Sequence, residues 1–489
     1  VFVLVDQNGH KVTRNYKQNI QYLKDELGVG KSFDVLATEL RYAGRDMTLF
    51  MIDGLIDDRQ VHLLMKFLAK LKPGDLDVDP LTKLMKTDLT YADISTDDNL
   101  DKAVFWVTCG AVVLIVDGIS QAIIIDARQY PTRSPAEPDV ERVIRGARDG
   151  FVETMVFNTA LTRRRVRDPS LRMVYMSVGR RSKTDVCVAY IEDIANPDVV
   201  KRIKDSISKI DVDGLPMAEK TLEEFIGGRH FNPFPFVRYT ERPDTAAVHL
   251  LEGHVLVFVD GSPVVLIMPS TFWNQLQHVE EYRQKPIVGS YLRLVRYFAV
   301  WASIFLLPLW YIFTTHPDML PTPYNFITLN KTPEVPIVVQ LISIEIGMDA
   351  VRMATIHTPS ALATALGLVA TLMIGQIAVS VGLYSPELIL YMAVAAIGTF
   401  ATPLYELSLA NRLMRVMLIL FSFFFGVPGY TIGSTLALIF MTRMRSFQIP
   451  YLWPFIPFNF REMADILFRV PIPLKSHRPP ILLTKDPDK

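Results

Sequence analysis

The chain has 489 residues, half of them hydrophobic, with 51 basic and 51 acidic side chains and a mean hydropathy of +0.23. It is too long for one ordinary domain and too apolar for a typical soluble enzyme. The balanced charge leaves no basic surplus for nucleic acid, and the two cysteines, Cys109 and Cys187, lie in apolar settings that give no disulfide framework.

The charges are unevenly shared. Residues 1–290 hold most of them and residues 297–442 only a handful, which predicts a soluble half followed by a membrane half. Residues 1–12 lack the basic flank and long apolar core of a signal peptide, so the soluble half is expected in the reducing cytoplasm.

In chain order, a helix is predicted over residues 15–27. GVGKS at 28–32 has the look of a phosphate-binding loop, but the leading glycine such a loop needs would fall at Asp25, so the segment reads as a turn. A strand over 47–53, a turn at Asp53-Gly54 and an amphipathic helix over 58–71 follow. A helix over 99–109 leads into two apolar runs joined at Asp117-Gly118, a hairpin signal. Residues 254–268 repeat that layout, either because the soluble half contains two related units or because hairpins converge on the pattern. Between them come a predicted helix over 138–165, strands over 171–178 and 185–191, and helices over 197–209 and 218–226. Helices and strands mixed in this way predict an α/β or α+β pair of subdomains.

From Gly289 the character changes. Arg293 and Arg296 precede a first apolar span, 297–315, and a proline-rich stretch, 316–336, precedes a second, 337–356. The second carries Glu345, Asp349 and Arg352 on one helical face, where they could pair with one another. Ionisable groups at bilayer depth are costly and point into a bundle or pore; the alternative is an amphipathic helix lying at the interface.

Residues 353–386 contain no Asp, Glu, Lys or Arg and one histidine, His357. Their 360–381 portion matches the roughly 20 apolar residues that cross a bilayer. A return span over 388–403 leads to a loop with Glu406, Arg412 and Arg415, and residues 416–442 form a helical hairpin or one kinked span around Gly426-Val427-Pro428-Gly429. Placing the flanking arginines on one side gives five or six spans. The expected division is residues 1–135 and 136–289 as two cytoplasmic subdomains, 290–446 as an all-α transmembrane domain, and 447–489 as a cytoplasmic tail.

Chemistry is scarce. His249, Glu252 and His254 in HLLEGH approach an inverted zinc-peptidase motif, but that motif needs the second histidine directly after the glutamate and Gly253 intervenes. Arg142, Arg145, Arg148, Arg163, Arg164, Arg165 and Arg167 form a basic cluster that either binds an anion or a lipid surface or pairs with Glu141, Asp149, Glu153 and Asp168. No catalytic constellation, metal site or cofactor is predicted.

Five segments carry a family resemblance: EPDVERVIRGARDGFVETMVFNTALTRRRVRD (137–168), DGLPMAEKTLEEF (213–225), NPFPFVRYTERPDTAAVHLLEGHV (232–255), IHTPSALATALGLVATLMIGQ (356–376) and TPLYELSLANRLMR (402–415). They resemble the A subunits of spore germinant receptors. The resemblance implies a two-part cytoplasmic domain on a multi-span domain in the endospore inner membrane. It also implies a homo-oligomer, a pentamer, that conducts ions early in germination alongside a small membrane partner protein or other receptor subunits. The matched helix is the expected pore wall, with Thr364, Gly367, Leu368, Thr371 and Gly375 recurring at three and four on one face. That face equally suits a close helix contact. Leu368 is the expected apolar gate, with Glu345 and Asp349 as acidic rings at one mouth.

Overall fold

The computed structural model describes residues 9–86, 93–129, 141–227, 231–331, 333–356 and 373–488. The chain divides into two compact units, one of Val1–His230, Val237–Ser270 and Ile472–Lys489, the other of Phe231–Phe236 and Thr271–Pro471. The expected tail, 447–489, is thus shared between the two.

In the first unit, α1 (Tyr16–Leu27) starts on Asn15, whose side chain accepts from the Gln18 N–H, and stops at Gly28 in the left-handed region (φ 68°). β1 (Val35–Tyr42), β2 (Arg45–Ile52), α2 (Asp58–Lys70), α3 (Pro80–Lys86), β3 (Asp93–Asp97), α4 (Leu100–Thr108), β4 (Val112–Val116) and β5 (Ala122–Asp126) follow. The strands form one antiparallel sheet in the order β1-β2-β4-β5-β3. β4 is apolar throughout, and β5 up to its last residue, Asp126, because both faces are covered. Val113, Ile115 and Ile124 pack with Leu23 and Leu27 of α1 and Val107 of α4, while Leu114, Val116, Ile123 and Ile125 pack with Leu64 and Leu68 of α2.

The second half repeats this plan. α5 (Met155–Arg165), β6 (Leu171–Val178), β7 (Thr184–Ile191), α6 (Pro197–Ser208), α7 (Ala218–Gly227), β8 (Arg238–Thr240), α8 (Pro243–Glu252), β9 (Val255–Val259) and β10 (Val265–Met268) run in the same element order. The sheet order β6-β7-β9-β10-β8 matches strand for strand, and every pairing is antiparallel, so the unit is α+β.

Details too specific for chance recur. Asn19 and Asn158, each the fourth residue of its helix, bridge the backbone N–H and C=O of the residue six positions earlier, Thr13 and Val152. Seven positions before each asparagine, Val12 donates to Asp98 O (2.7 Å) and Phe151 to Glu241 O (2.8 Å). Gly110 and Gly253, both at positive φ, precede the equivalent strands β4 and β9. Of the two readings of the twin hairpins, this favours a repeat over convergence.

The halves interlock at a segment that sequence alone marks only as a turn. Ser32 is buried, its Oγ accepts from Met173 N (3.0 Å), and Phe33 N donates to Met173 O (2.9 Å), so the GVGKS stretch delivers its end to the edge of β6. Asp34 then meets Arg163 in a buried two-pronged pair, Nε to Oδ2 at 3.0 Å and Nη2 to Oδ1 at 3.1 Å.

Two expectations are corrected. The helix predicted over 138–165 begins only at Met155, because Asp260 accepts from the Met155 N–H and Asn158 holds the strand-like approach at Val152; residues 141–150 are irregular, and 138–140 lie outside the described residues. Strands β1 and β3 were not anticipated, because alternation is weak in residues 35–42 and 93–97, whose polar side chains sit at sheet edges. Of the two readings of the basic cluster, pairing is the one that Arg163 and Arg165 follow, with Asp34 and, at 2.5 Å, Asp149.

The second unit is helical. α9 (Phe272–Leu276) and α10 (Val279–Arg283) lead into α11 (Pro286–Thr315), followed by α12 (Ile337–Ile356), α13 (Pro386–Phe400), α14 (Tyr405–Arg443) and α15 (Phe460–Leu467). Among the described residues, α11 and α14 are long and apolar enough to cross a membrane; α13 is apolar but shorter. α14 is broken at Gly426 (φ 59°, ψ −141°). A continuous helix would put Leu418 and Gly433 about 22 Å apart, yet a Cβ on Gly433 would lie 3.2 Å from Leu418 Cδ2. The two arms therefore fold back as a hairpin, the first of the two alternatives read for that segment.

Candidate functional site

The polar groups of the helical unit gather where α11, α12 and the first arm of α14 meet. α11 and α13 approach closely because Gly398 lacks a Cβ: one there would collide with the Ala299 carbonyl oxygen and press on Ser303. Small residues at such a crossing are the usual device for close packing of apolar helices. Leu307, Trp310, Leu341, Ile344, Leu388, Met392 and Ile419 fill the space around it.

Into this packing project Glu345 and Arg415, 3% and 1% exposed at the side chain. Arg415 donates from Nε to Glu345 Oε1 at 2.6 Å, from Nη2 to Oε2 at 2.8 Å, and from Nη1 to the Ser303 carbonyl at 2.7 Å. One helical turn away the pairing repeats: Asp349, four residues on, meets Arg412, three residues back. Arg352 instead stands over the Phe400 ring, 5.3 Å from its centroid. On the α12 face where Glu345, Asp349 and Arg352 could pair with one another, both acids have arginine partners elsewhere. The acids of α12 reach across to α14, and Arg412 and Arg415 lie within a helix, not a loop. The signal was present in the sequence: acids four apart on one helix and arginines three apart on the next match when the helices run antiparallel.

Beside Arg412 sits Asn411, 1% exposed, with neither its amide nitrogen nor its oxygen hydrogen-bonded. A buried amide with no partner calls for water or an ion. Sequence reasoning passed over it because it falls in the stretch read as a loop, where an asparagine faces solvent.

A second buried cluster anchors the start of α11. Glu281 faces Arg293 (Nε to Oε2, 2.8 Å) and Arg296, and Arg293 Nη1 also donates to the carbonyls of Asp465 and Ile466, at 2.9 Å each. Those carbonyls end α15, where helix acceptors lack intrahelical donors. Arg293 and Arg296, expected as flanking charges of the first span, thus serve as a joint inside the unit.

Of the pore-wall candidates, Thr364, Gly367, Leu368 and Thr371 lie outside the described residues, as does His357. Gly375 is described. It sits in a single π-helical turn, Met373–Ile377, and a Cβ added there would meet nothing among the described residues within 4 Å. Such turns interrupt a helix and recur at functional positions.

Residues 21–481 match the Bacillus/Clostridium GerA spore germination protein family. The chain is 48% identical over 476 residues to stage V sporulation protein AF of Bacillus subtilis (strain 168), covering 97% of each. It is 30% identical over 482 residues to spore germination protein KA of the same organism, covering 97% of this chain and 88% of the relative. The crystal structure of the N-terminal domain of the A subunit of the Bacillus megaterium spore germinant receptor GerK3 covers 54% of this chain and 99% of its own, at 27% identity and a TM-score of 0.43. With a match running through both units, this chain belongs to the GerA family of spore germination proteins.

Proposed function

We propose that the chain is a membrane-embedded subunit of the spore germination machinery that assembles as a pentamer and conducts monovalent cations. The observation that carries the reading is the uncharged stretch 353–386, whose hydroxyl and glycine residues recur on one face. Five copies of that face around an axis form a narrow wet path, closed by dewetting at Leu368. That a Cβ on Gly375 would meet none of the described residues within 4 Å supports the placement of that face away from them. In this reading the helical unit crosses the inner spore membrane six times, and the α+β unit sits in the cytoplasm and biases opening through subunit contacts. A small membrane partner protein or other receptor subunits complete the complex.

The charge candidates take a different part from the acidic rings first expected. Glu345 and Asp349 each face an arginine, so in the proposal they lock α12 to α14, and Thr364 and Thr371 present the polar surface to ions. The same pairing favours a second reading, a non-conducting scaffold whose polar groups serve packing. Stoichiometry separates the two: the mass of the full-length protein in native lipid discs is expected to be that of five copies, whereas a monomer would leave no shared axis for a pore.

A further inference from the structure

The HLLEGH segment fails as a peptidase motif, yet the fold brings its three donors together by another route. His249 and Glu252, three apart on α8, share a face. Gly253 at φ 98° ends the helix and turns the chain so that His254, just before β9, comes back beside the last turn. One ligand atom from each of the three lies within 4.8 Å of the other two.

The surroundings are those of a built site. His249 and His254 are buried, 8% and 2% exposed. Neither ring nitrogen of His249 has a hydrogen-bond partner, and the nearest carboxylate oxygen, Glu252 Oε2, stands 3.7 Å from Nδ1, beyond hydrogen-bond reach. His254 Nδ1 is 3.2 Å from the His249 carbonyl oxygen. A carbonyl only accepts, so Nδ1 carries the proton and Nε2 keeps its lone pair, which is how metal-binding histidines are oriented. Glu252 is fixed in the same manner, with Oε1 held by Lys475 Nζ at 2.8 Å and Oε2 turned to the histidines.

The duplicated scaffold supplies a control. The positions of the first half that correspond to His249, Glu252 and His254, aligned on Gly110 and Gly253, hold Trp106, Cys109 and Ala111. The fold therefore does not require these residues at these positions.

We propose that His249, Glu252 Oε2 and His254 Nε2 form a three-ligand site for a divalent transition-metal ion of the zinc or cobalt class, with an open fourth position. Two imidazoles and one carboxylate suit such ions, whereas calcium and magnesium call for oxygen ligands. Lys475 and Arg238 also face the cluster, and their charges place the affinity below that of a site without cations. The assignment is independent of ion conduction.

The test is titration of the full-length protein in detergent, stripped with chelator, with Co²⁺ and then Zn²⁺. One Co²⁺ per chain with the visible absorption of a four-coordinate complex, displaced by Zn²⁺, is expected. His249→Gln and Glu252→Gln are expected to bind at least ~10-fold more weakly. Absence of the absorption, or equal binding by the ligand variants, overturns the site. Should a ligand variant fail to fold, thermal unfolding of the unmodified protein decides: a midpoint raised by Zn²⁺ over chelator is expected, and an unchanged midpoint overturns the proposal.

Discussion

Replacing Glu345 by leucine strands Arg415 in the interior. Two of the guanidinium's three hydrogen-bonding directions lose their acceptors, Oε1 at 2.6 Å and Oε2 at 2.8 Å, and only the Ser303 carbonyl at 2.7 Å remains. Removing one partner of a buried pair costs about 3–5 kcal/mol, a shift of roughly a hundredfold to a few thousandfold in the folding equilibrium. Arg415→Met leaves the carboxylate stranded instead, with a cost of the same order. The double variant Glu345→Leu/Arg415→Met buries no charge, and such replacements are neutral or even stabilising by about 1–4 kcal/mol. The double variant is therefore expected to be more stable than either single one. Unfolding of the purified full chain in mixed micelles, followed by far-UV circular dichroism, measures all three. Single variants within about 0.5 kcal/mol of the unaltered protein, or a double variant whose loss is the sum of the two, would refute the reasoning.

Asn19→Ala and Asn158→Ala each remove two part-buried hydrogen bonds to the backbone of Thr13 and Val152, at about 0.5–1.5 kcal/mol per bond, and chemical denaturation is expected to return similar losses at these two equivalent positions. Gly426→Val forces a branched residue into a conformation that glycine tolerates at φ 59°, at a cost of about 1–3 kcal/mol; cysteine crosslinking between positions 418 and 433 should fall if the hairpin opens. Burial pushes the Cys187 thiol well above its ordinary range and that of Cys109 upward, so neither forms much thiolate at neutral pH. Iodoacetamide labelling is expected to be negligible in the folded chain and complete after denaturation, and rapid labelling of the native protein would contradict their placement.

The parts of the fold that were legible in the sequence are those with strong local patterning. The hairpins at Asp117-Gly118 and Asp260-Gly261 announce themselves by apolar runs around a turn, and the helices α1, α2, α4 and α6 by periodicity and capping. β1 escaped because it lies at a sheet edge, where its apolar and polar residues alternate only weakly, and the start of α5 because it is fixed by Asp260, 105 residues away. The same distance effect governs the sites. Glu345 was visible as a costly charge in an apolar helix, but its partner lies 70 residues on, and only the antiparallel match of spacings could have named it. His249, Glu252 and His254 were visible as residues but their meeting in space was not, because a motif written for one helix does not describe a helix that ends at a left-handed glycine and turns back.

Ion flux through the full-length protein in liposomes, compared across Leu368 variants, tests the central claim most directly. The account predicts that Leu368→Ser raises the potassium leak and Leu368→Phe lowers it, as expected of an apolar constriction on the conducting path. Equal flux from both variants and the unaltered protein, or none above that of protein-free liposomes, would contradict it.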